Sequence, residues 1–377
     1  MSETISIFDL LPEDDEMRVK YKPIKSTDWK WTMAEDYPKE KNGLKVFSCF
    51  ACGGGSTMGY KLAGCDVIGC CEIDPKMNNV YVQNHHPKYN FLMDIRKFNE
   101  TPNEELPEEL FDLDILDGSP PCTTFSMAGK REESWGKKKK FREGQAEQTL
   151  DDLSFVFIDT IAKLRPKVVI MENVEGLLLG NAFEYVREMH RKFKEIGYNV
   201  MHQLLKGEQM GVPQTRHRVF FIATRLDFDF ENLDLNFNYA PISYENIACE
   251  LGKEPSEYQK RLLDNAVHTD FRMSDIKERI DGNCVGFTDL IVWKDKVLPT
   301  ITANGKIFNA DDKKHVSDKE LIFGQTFPQD YNFLNNKVRY ICGMSVPPIM
   351  IKQIVNRLME SGIFDYKLKG ETQCTRG

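Results

Sequence analysis

Val168-Val169-Ile170-Met171 is an almost unbroken apolar run, preceded by Pro166 and closed by Glu172-Asn173-Val174. A strand apolar on both faces is buried on both, as in the middle of a parallel sheet with helices on either side. The flanking pattern supplies those helices. Leu153–Leu164 carries Phe155, Ile158, Ile161, Ala162 and Leu164 at helical spacing, and Ala182–Ile196 reads as another helix. Tyr198–Leu204 begins a further strand, and Val219–Thr224 is another. The expected fold class is α/β, a doubly wound, mostly parallel sheet. Open sheets of this kind bind ligands at the carboxyl ends of their strands, which marks Glu172 as a candidate site residue.

The chain opens such a domain at Leu44–Phe50, a strand by composition. Gly53, Gly54 and Gly55 follow, and Ser56-Thr57 leads into a helix through Leu62. Strand, glycine turn and helix make a cofactor-binding opening: glycines admit a ligand to the backbone, and the helix start offers unpaired N–H groups. A glycine turn alone is equally compatible with a tight structural turn. A second strand, Asp66–Cys71, ends in Glu72-Ile73-Asp74 about 20 residues after the glycines, the usual place for an acceptor of ribose hydroxyls. Met93-Asp94-Ile95 repeats the theme, and Asp94 is placed to accept from an adenine amine.

Leu110–Leu116 reads as a strand and runs into Asp117-Gly118-Ser119-Pro120-Pro121-Cys122. Two prolines fix the backbone and present a cysteine on a rigid turn, as covalent catalysis in an α/β protein requires. A buried, inert cysteine is the alternative. After it, Lys130–Arg142 holds seven basic residues and two acids between glycines, a basic loop suited to closing on a phosphate backbone, or simply a solvated loop. Further on, Arg216 and Arg218 share a face if Gln214–Arg218 is extended, and two guanidinium forks can hold an anion or a carbonyl.

Composition bounds the rest. The 377 residues, 41% hydrophobic, suffice for one large core and a smaller domain. No window offers the roughly 18 apolar residues that span a bilayer, so no membrane contact is expected. Met1–Lys20 has no apolar segment of a secretory signal, and a reduced, cytoplasmic location is expected. Ten cysteines in this length do not make a disulfide scaffold. Cys49 and Cys52 have zinc-ligand spacing, but the adjacent Cys70 and Cys71 on a strand point to opposite faces, so no metal is expected. The expected units are an N-terminal arm (1–43), a catalytic and cofactor-binding domain (44–224), an inserted unit (225–297), a return to the first domain (298–364) and a tail (365–377). The inserted segment holds 9 Lys and Arg against 15 Asp and Glu. If it reads nucleic acid, Arg261, Arg272, Lys277, Arg279, Lys294 and Lys296 must gather on one basic face.

Taken in order, these segments resemble the cytosine-5 DNA methyltransferase family over about Leu44–Arg225 and Leu298–Met359. Gly118–Cys122 with Phe125-Ser126 resembles its catalytic motif, Glu172-Asn173-Val174 a second and Gln214–Val219 a third. Phe50–Gly55 resembles its S-adenosylmethionine turn. Phe323-Gly324-Gln325 with Phe327-Pro328 and Tyr331, then Gly343–Pro347, resemble its last two blocks. The chain departs from the pattern at Cys52, where the family has the first glycine of the turn, at Thr123, and at Met344 in place of an asparagine. No departure removes a catalytic group.

The resemblance implies that Cys122 adds as thiolate to cytosine C6, making C5 nucleophilic toward the methyl of S-adenosylmethionine. It implies that Glu172, with a raised pKa, contacts N3 and the exocyclic amine, and that Arg216 and Arg218 hold O2, the 5′ phosphate and the loop. Phe50, Gly53, Gly54, Gly55, Glu72, Ile73, Asp94, Pro120 and Val346 would bind the cofactor, which leaves as S-adenosylhomocysteine. The target base would flip out of double-stranded DNA, and 225–297 would serve as a target-recognition domain for a short site of roughly 4–6 base pairs. A lone catalytic module resembles bacterial or phage restriction–modification enzymes: a monomer, with a cognate restriction endonuclease as possible partner. A tRNA cytosine-5 substrate is the first alternative, but the Cys-Phe-Thr element typical of those enzymes is absent. A silent nucleic-acid-binding protein is the second, opposed by intact Cys122, Glu172, Arg216 and Arg218. Amino-group methylation is the third, opposed by Cys122 where an aromatic residue should follow Pro121.

Overall fold

The computed structural model describes residues 29–121, 138–139, 148–149, 153–179, 182–282 and 289–368. Cys122, Phe125, Ser126 and nearly all of the basic loop lie outside the described residues.

Seven strands form the main sheet: β1 (Lys45–Cys49), β2 (Asp66–Glu72), β3 (Tyr89–Leu92), β4 (Ile115–Gly118), β5 (Val168–Val174), β6 (Asn199–Lys206) and β7 (His217–Thr224). Their spatial order is β3-β2-β1-β4-β5-β7-β6. The first five run parallel, and β7 is antiparallel to both β5 and β6. The doubly wound α/β reading therefore holds. Alternation along the strands splits the core in two. Val46, Ile115, Val168, Ile170, Phe220 and Ile222 face one cluster with α1 (Gly55–Leu62) and the C-terminal helix Pro348–Glu360. Phe47, Leu116, Val169, Met171, Val219 and Phe221 face the other with the helices Leu153–Leu164 and Ala182–Glu195.

Chain order reverses direction between β1 and β4, so the crevice at their carboxyl ends is the topological switch point. Two strands are shorter than the apolar pattern suggests. β1 stops at Cys49 because Phe50 turns to φ 56°. β4 starts only at Ile115: Glu108–Phe111 is a 3₁₀ turn that buries Leu110, and Asp114 accepts the Lys45 N–H at 2.8 Å.

The segment after β7 does not separate where its composition changes. Leu226, Phe228, Leu233, Leu235, Ile242, Tyr244 and Ile247 are buried in the first core cluster, so 225–247 wraps the main body. A small cluster of its own joins Leu262, Leu263, Met273, Ile276, Ile291 and Phe308. Its sheet takes strands from both sides of residue 298: Leu290–Val292, Ile307–Asn309 and Lys314–His315. Between them Leu298-Pro299 pairs with Gln214-Thr215 of the main body. Apolar positions, not net charge, set this boundary. Four of the six cations expected on a basic face have acids beside them rather than turned away. Arg261, Arg279, Lys294 and Lys296 each pair with a carboxylate, of Asp281, Asp270, Asp312 and Asp295 respectively.

Candidate active site

The switch-point crevice holds a pocket. Phe50, Cys52, Glu72 and Ile73 line it from the ends of β1 and β2, Met93, Asp94 and Ile95 from the end of β3, and Ser119 and Pro121 from the turn after β4. Cys71, Asp74, Met77, Tyr340 and Met344 complete the wall.

Glu72 is buried, and both its carboxylate oxygens are engaged by backbone: Oε2 accepts the Cys52 N–H and Oε1 the Asp74 N–H, each at 2.8 Å. Burial pushes its carboxyl up from the usual range, against backbone donors at Asp74, Cys52 and Ile73. The carboxylate keeps acceptor capacity beyond these donors, which suits a ribose diol. Asp94 caps the helix Ile95–Glu100 by accepting the Arg96 N–H at 2.8 Å. Arg96 Nη1 also lies 3.5 Å from both its oxygens; the acceptor capacity left suits an amine, and Ile73, Met77 and Met93 offer apolar surface for a flat base beside it. The residues present fit an adenosyl group: sugar acceptor, amine acceptor and apolar faces in one crevice.

Gly53, Gly54, Gly55, Pro120 and Val346, expected at the cofactor, are not among the residues that line this pocket. A Cβ on Gly53 would meet Ile341 and Tyr331, on Gly54 the His85 ring, and on Gly55 the Val346 carbonyl. The close approach these glycines permit is to other protein segments. Pro120 is buried, and its carbonyl accepts from Asn173 Nδ2 at 3.4 Å. That bond joins the Pro-Pro turn to the end of β5.

The same turn leads toward Cys122. Gly118 of β4 is in register with Met171 of β5, so residues 119–121 leave the sheet beside Glu172. Glu172 Oε1 accepts from Arg218 Nε at 2.8 Å, with both side chains largely buried. Arg218 donates also to the His217 carbonyl. Arg216 does not join them on a shared anion-binding face. Its guanidinium is buried and donates to the carbonyls of Ile301 at 3.1 Å and Gly343 at 3.2 Å, leaving only Nε without a partner. Burial drives its pKa well below the usual guanidinium value, with the Arg218 cation adding to the effect. Arg216 ties the return segment to the sheet.

Sequence reasoning passed over Met77, Met93, Ser119 and Tyr340 in the pocket wall, and Asp117 behind the Pro-Pro turn. Asp117 is buried, accepting from Ser48 at 2.6 Å and Tyr60 at 3.1 Å. Its position just before Gly118-Ser119-Pro120-Pro121 was the available signal. Among the described residues no group of three or more histidine, cysteine and acidic side chains is arranged to hold a metal.

A doubly wound sheet with a buried acid at the end of its second strand and a pocket at its switch point is the S-adenosylmethionine-dependent methyltransferase fold. Solved structures agree: a candidate DNA modification methyltransferase from an E. coli prophage (TM-score 0.60, 16% identity, 84% of this chain and 99% of that one) and a Spodoptera frugiperda DNMT2 variant (TM-score 0.58, 18% identity, 84% and 100%) share it. The chain belongs to the C-5 cytosine-specific DNA methylase family, whose sequence profile matches residues 44–360. It is similar to the type II methyltransferase M.FnuDI of Fusobacterium nucleatum, 32% identical over 200 residues, 53% of this chain and 52% of that protein. It is similar also to M1.HphI of Haemophilus parahaemolyticus, 23% identical over 341 residues, 84% of this chain and 87% of that protein. The matched stretch thus spans about half the length of M.FnuDI and nearly all of M1.HphI. Among the described residues no helix is long and apolar enough to cross a membrane.

Proposed function

We propose that this chain methylates C5 of cytosine in a short duplex DNA site, with Cys122 as nucleophile and S-adenosylmethionine as donor. One observation carries the reading. The Pro-Pro turn that delivers Cys122 lines the adenosyl-shaped pocket through Ser119 and Pro121 and is bonded to the end of β5, beside Glu172, through Asn173. In this reading the nucleophile, the base-contacting acid and the methyl donor meet at the carboxyl ends of the neighbouring strands β4 and β5.

In this reading the bound cofactor supplies a methyl group already activated on a sulfonium. Cys122 attacks C6 as thiolate and leaves when the C5 proton is lost. Glu172 faces N3 and the exocyclic amine of the flipped base. Arg218, locked to Glu172, orients that carboxylate and offers its remaining N–H groups to O2. Glu72 takes the ribose hydroxyls, Asp94 the adenine amine, Ile73 the adenine face, and Phe50 the methionine end. Arg216 acts through the fold.

A duplex partner needs positive surface that is not already neutralised. Lys253, Lys306 and Lys337 meet this need. They line a groove with His315 and Arg339, against two acids in the same lining, Glu250 and Asp318, and the three lysines make no ion pair among the described residues. Tyr340 lines both this groove and the cofactor pocket. We assign target recognition to the small unit around Leu262–Phe308, which borders the groove, and regard a monomer acting in the bacterial cytoplasm, with or without a cognate nuclease, as the working form.

The test is transfer of labelled methyl from S-adenosylmethionine to unmethylated duplex DNA and to tRNA, with Cys122→Ala in parallel. Label in DNA that vanishes in the variant is the expected result. Label confined to tRNA overturns the substrate, and label persisting in Cys122→Ala overturns the mechanism. A covalent adduct with a 5-fluorocytosine duplex separates an enzyme from a silent binder.

A further inference from the structure

The turn at the pocket carries more strain than its sequence suggests. Phe50 and Cys52, neither of them glycine, both hold positive φ, at 56° and 46°. Such residues persist only where their surroundings over-determine them. Two buried side chains do so here. Tyr331 Oη donates to the Gly53 carbonyl at 2.5 Å, and His85 Nε2 meets the same oxygen at 3.1 Å. Only an Nε2–H tautomer of His85 can donate there, and Nδ1 is then a buried acceptor without a partner. The ring also occupies the space beside Gly54, where an added Cβ would lie 2.1 Å from Nε2.

We infer that His85 and Tyr331 are positioning residues for the cofactor, fixing the Gly53 carbonyl and through it the turn that aims Glu72. The path is continuous. Gly54 N–H closes the turn on the Ala51 carbonyl at 2.8 Å, and the Cys52 N–H between them holds Glu72 Oε2. If the Gly53–Gly54 peptide rotates, the Gly54 N–H leaves the Ala51 carbonyl, the Ala51–Cys52 peptide is released, and Glu72 loses one of the donors that orient its oxygens.

His85 ends the helix Pro75–His85, stacks edge-on against Tyr81 at 4.7 Å, and has its own carbonyl held by Lys61. Tyr331 comes from the return segment, packed against Phe327 and Phe333. The clamp therefore makes the cofactor turn depend on a residue 278 positions away. Burial lowers the His85 pKa to about 3, so the ring stays neutral and keeps one donor through any assay range.

The inference rests on the assignment of this pocket to S-adenosylmethionine. Its test measures equilibrium binding of S-adenosylmethionine and S-adenosylhomocysteine to the full chain, alongside steady-state kinetics and melting temperature. Tyr331→Phe keeps the ring and removes the donor. His85→Leu removes both ring nitrogens, and His85→Gln restores an N–H at similar reach. The expected result is cofactor affinity weakened about 3- to 10-fold in Tyr331→Phe and His85→Leu, the loss typical of one neutral hydrogen bond. KM for the cofactor rises equally, kcat at saturation is unchanged, and His85→Gln recovers part of the loss. Folded Tyr331→Phe and His85→Leu proteins that bind as tightly as wild type overturn the clamp. So does a lowered melting temperature with unchanged affinity, which is the signature of a merely structural role. Wild type that binds neither cofactor defeats the pocket assignment itself, and the inference with it.

Discussion

Arg218 Nε lies 2.8 Å from Glu172 Oε1, across the antiparallel pair β7 and β5. Phe220 stands opposite Glu172 in register and Arg218 opposite Val174, so the arginine reaches back diagonally along one face. Removing either partner leaves a largely buried charge alone, which costs more than the pair contributes. The prediction is a coupling energy of about 1–3 kcal/mol between Arg218→Ala and Glu172→Gln in a double-mutant cycle read by urea denaturation. Both single variants should lose methyl transfer by about 100-fold or more, the usual scale for a positioned charge or proton-transfer group. Additive effects on stability, below about 0.5 kcal/mol of coupling, mean the ion pair is incidental.

Arg216 should behave differently from its neighbour two residues on. Its hydrogen bonds go to the carbonyls of Ile301 and Gly343. Arg216→Met strands both, at about 1–3 kcal/mol for each buried acceptor, partly offset by removal of a buried cation. The expected net loss is about 2–4 kcal/mol of unfolding free energy, with an early melt. Activity per folded molecule, measured well below that melt, should fall far less than in Arg218→Ala. A variant that melts normally yet is inactive places Arg216 at the substrate.

Asp117 gives the pH dependence. Burial raises its carboxyl to about 7, opposed by hydrogen bonds from Ser48 and Tyr60 and assisted by the charge of Glu172. An unfolded aspartate titrates near 3.9. The folded state therefore binds the proton more tightly, and this contribution is full below about pH 4 and lost as pH rises through about 7. His85 acts in the opposite sense: its folded pKa is depressed to about 3, so its contribution falls away as pH drops below about 6.5. The informative quantity is the difference between wild type and Asp117→Asn. Wild-type stability relative to the variant should decline by up to about 1.4 kcal/mol per pH unit between about pH 4 and 7. A flat difference across that window shows that Asp117 titrates normally.

What could be read in the chain was what depends on near neighbours. The run Val168–Met171 announced a strand buried on both faces, and all four residues have zero exposure. That Glu72 and Asp94 fall in one crevice was legible because parallel strand ends in an α/β sheet lie on one side. Arg216 and Arg218 were not separable, since the two carbonyls that claim Arg216 lie 85 and 127 residues away. His85 had no local mark for the same reason, and Tyr331, though part of a motif block, carried no sign of its bond to Gly53 across 278 residues. The inserted segment misled through its charge: composition shifts at Arg225, but Leu226 to Ile247 still pack into the main core. Lys253, Lys306 and Lys337 of the groove are separated in sequence and gathered only by the fold.

Cys52 tests how tightly the cofactor turn is specified. Its φ of 46° is costly for any residue with a Cβ, by roughly 1–2 kcal/mol. Glycine removes that strain but adds about 0.4–1 kcal/mol of chain entropy to the unfolded state. The two nearly balance, so Cys52→Gly should leave stability within about 1 kcal/mol of wild type and preserve cofactor affinity. Valine is branched where the backbone is least tolerant, and a β-branched residue at positive φ is a genuine outlier. Cys52→Val should therefore melt earlier and bind S-adenosylmethionine more weakly, because a shift of this residue also moves the N–H that holds Glu72. The thiol itself is no reactive handle: burial pushes it up to about 12, so alkylation at neutral pH should be slow. Equal affinity and melting temperature in the glycine and valine variants, compared side by side, exclude a strained turn as the element that orients Glu72.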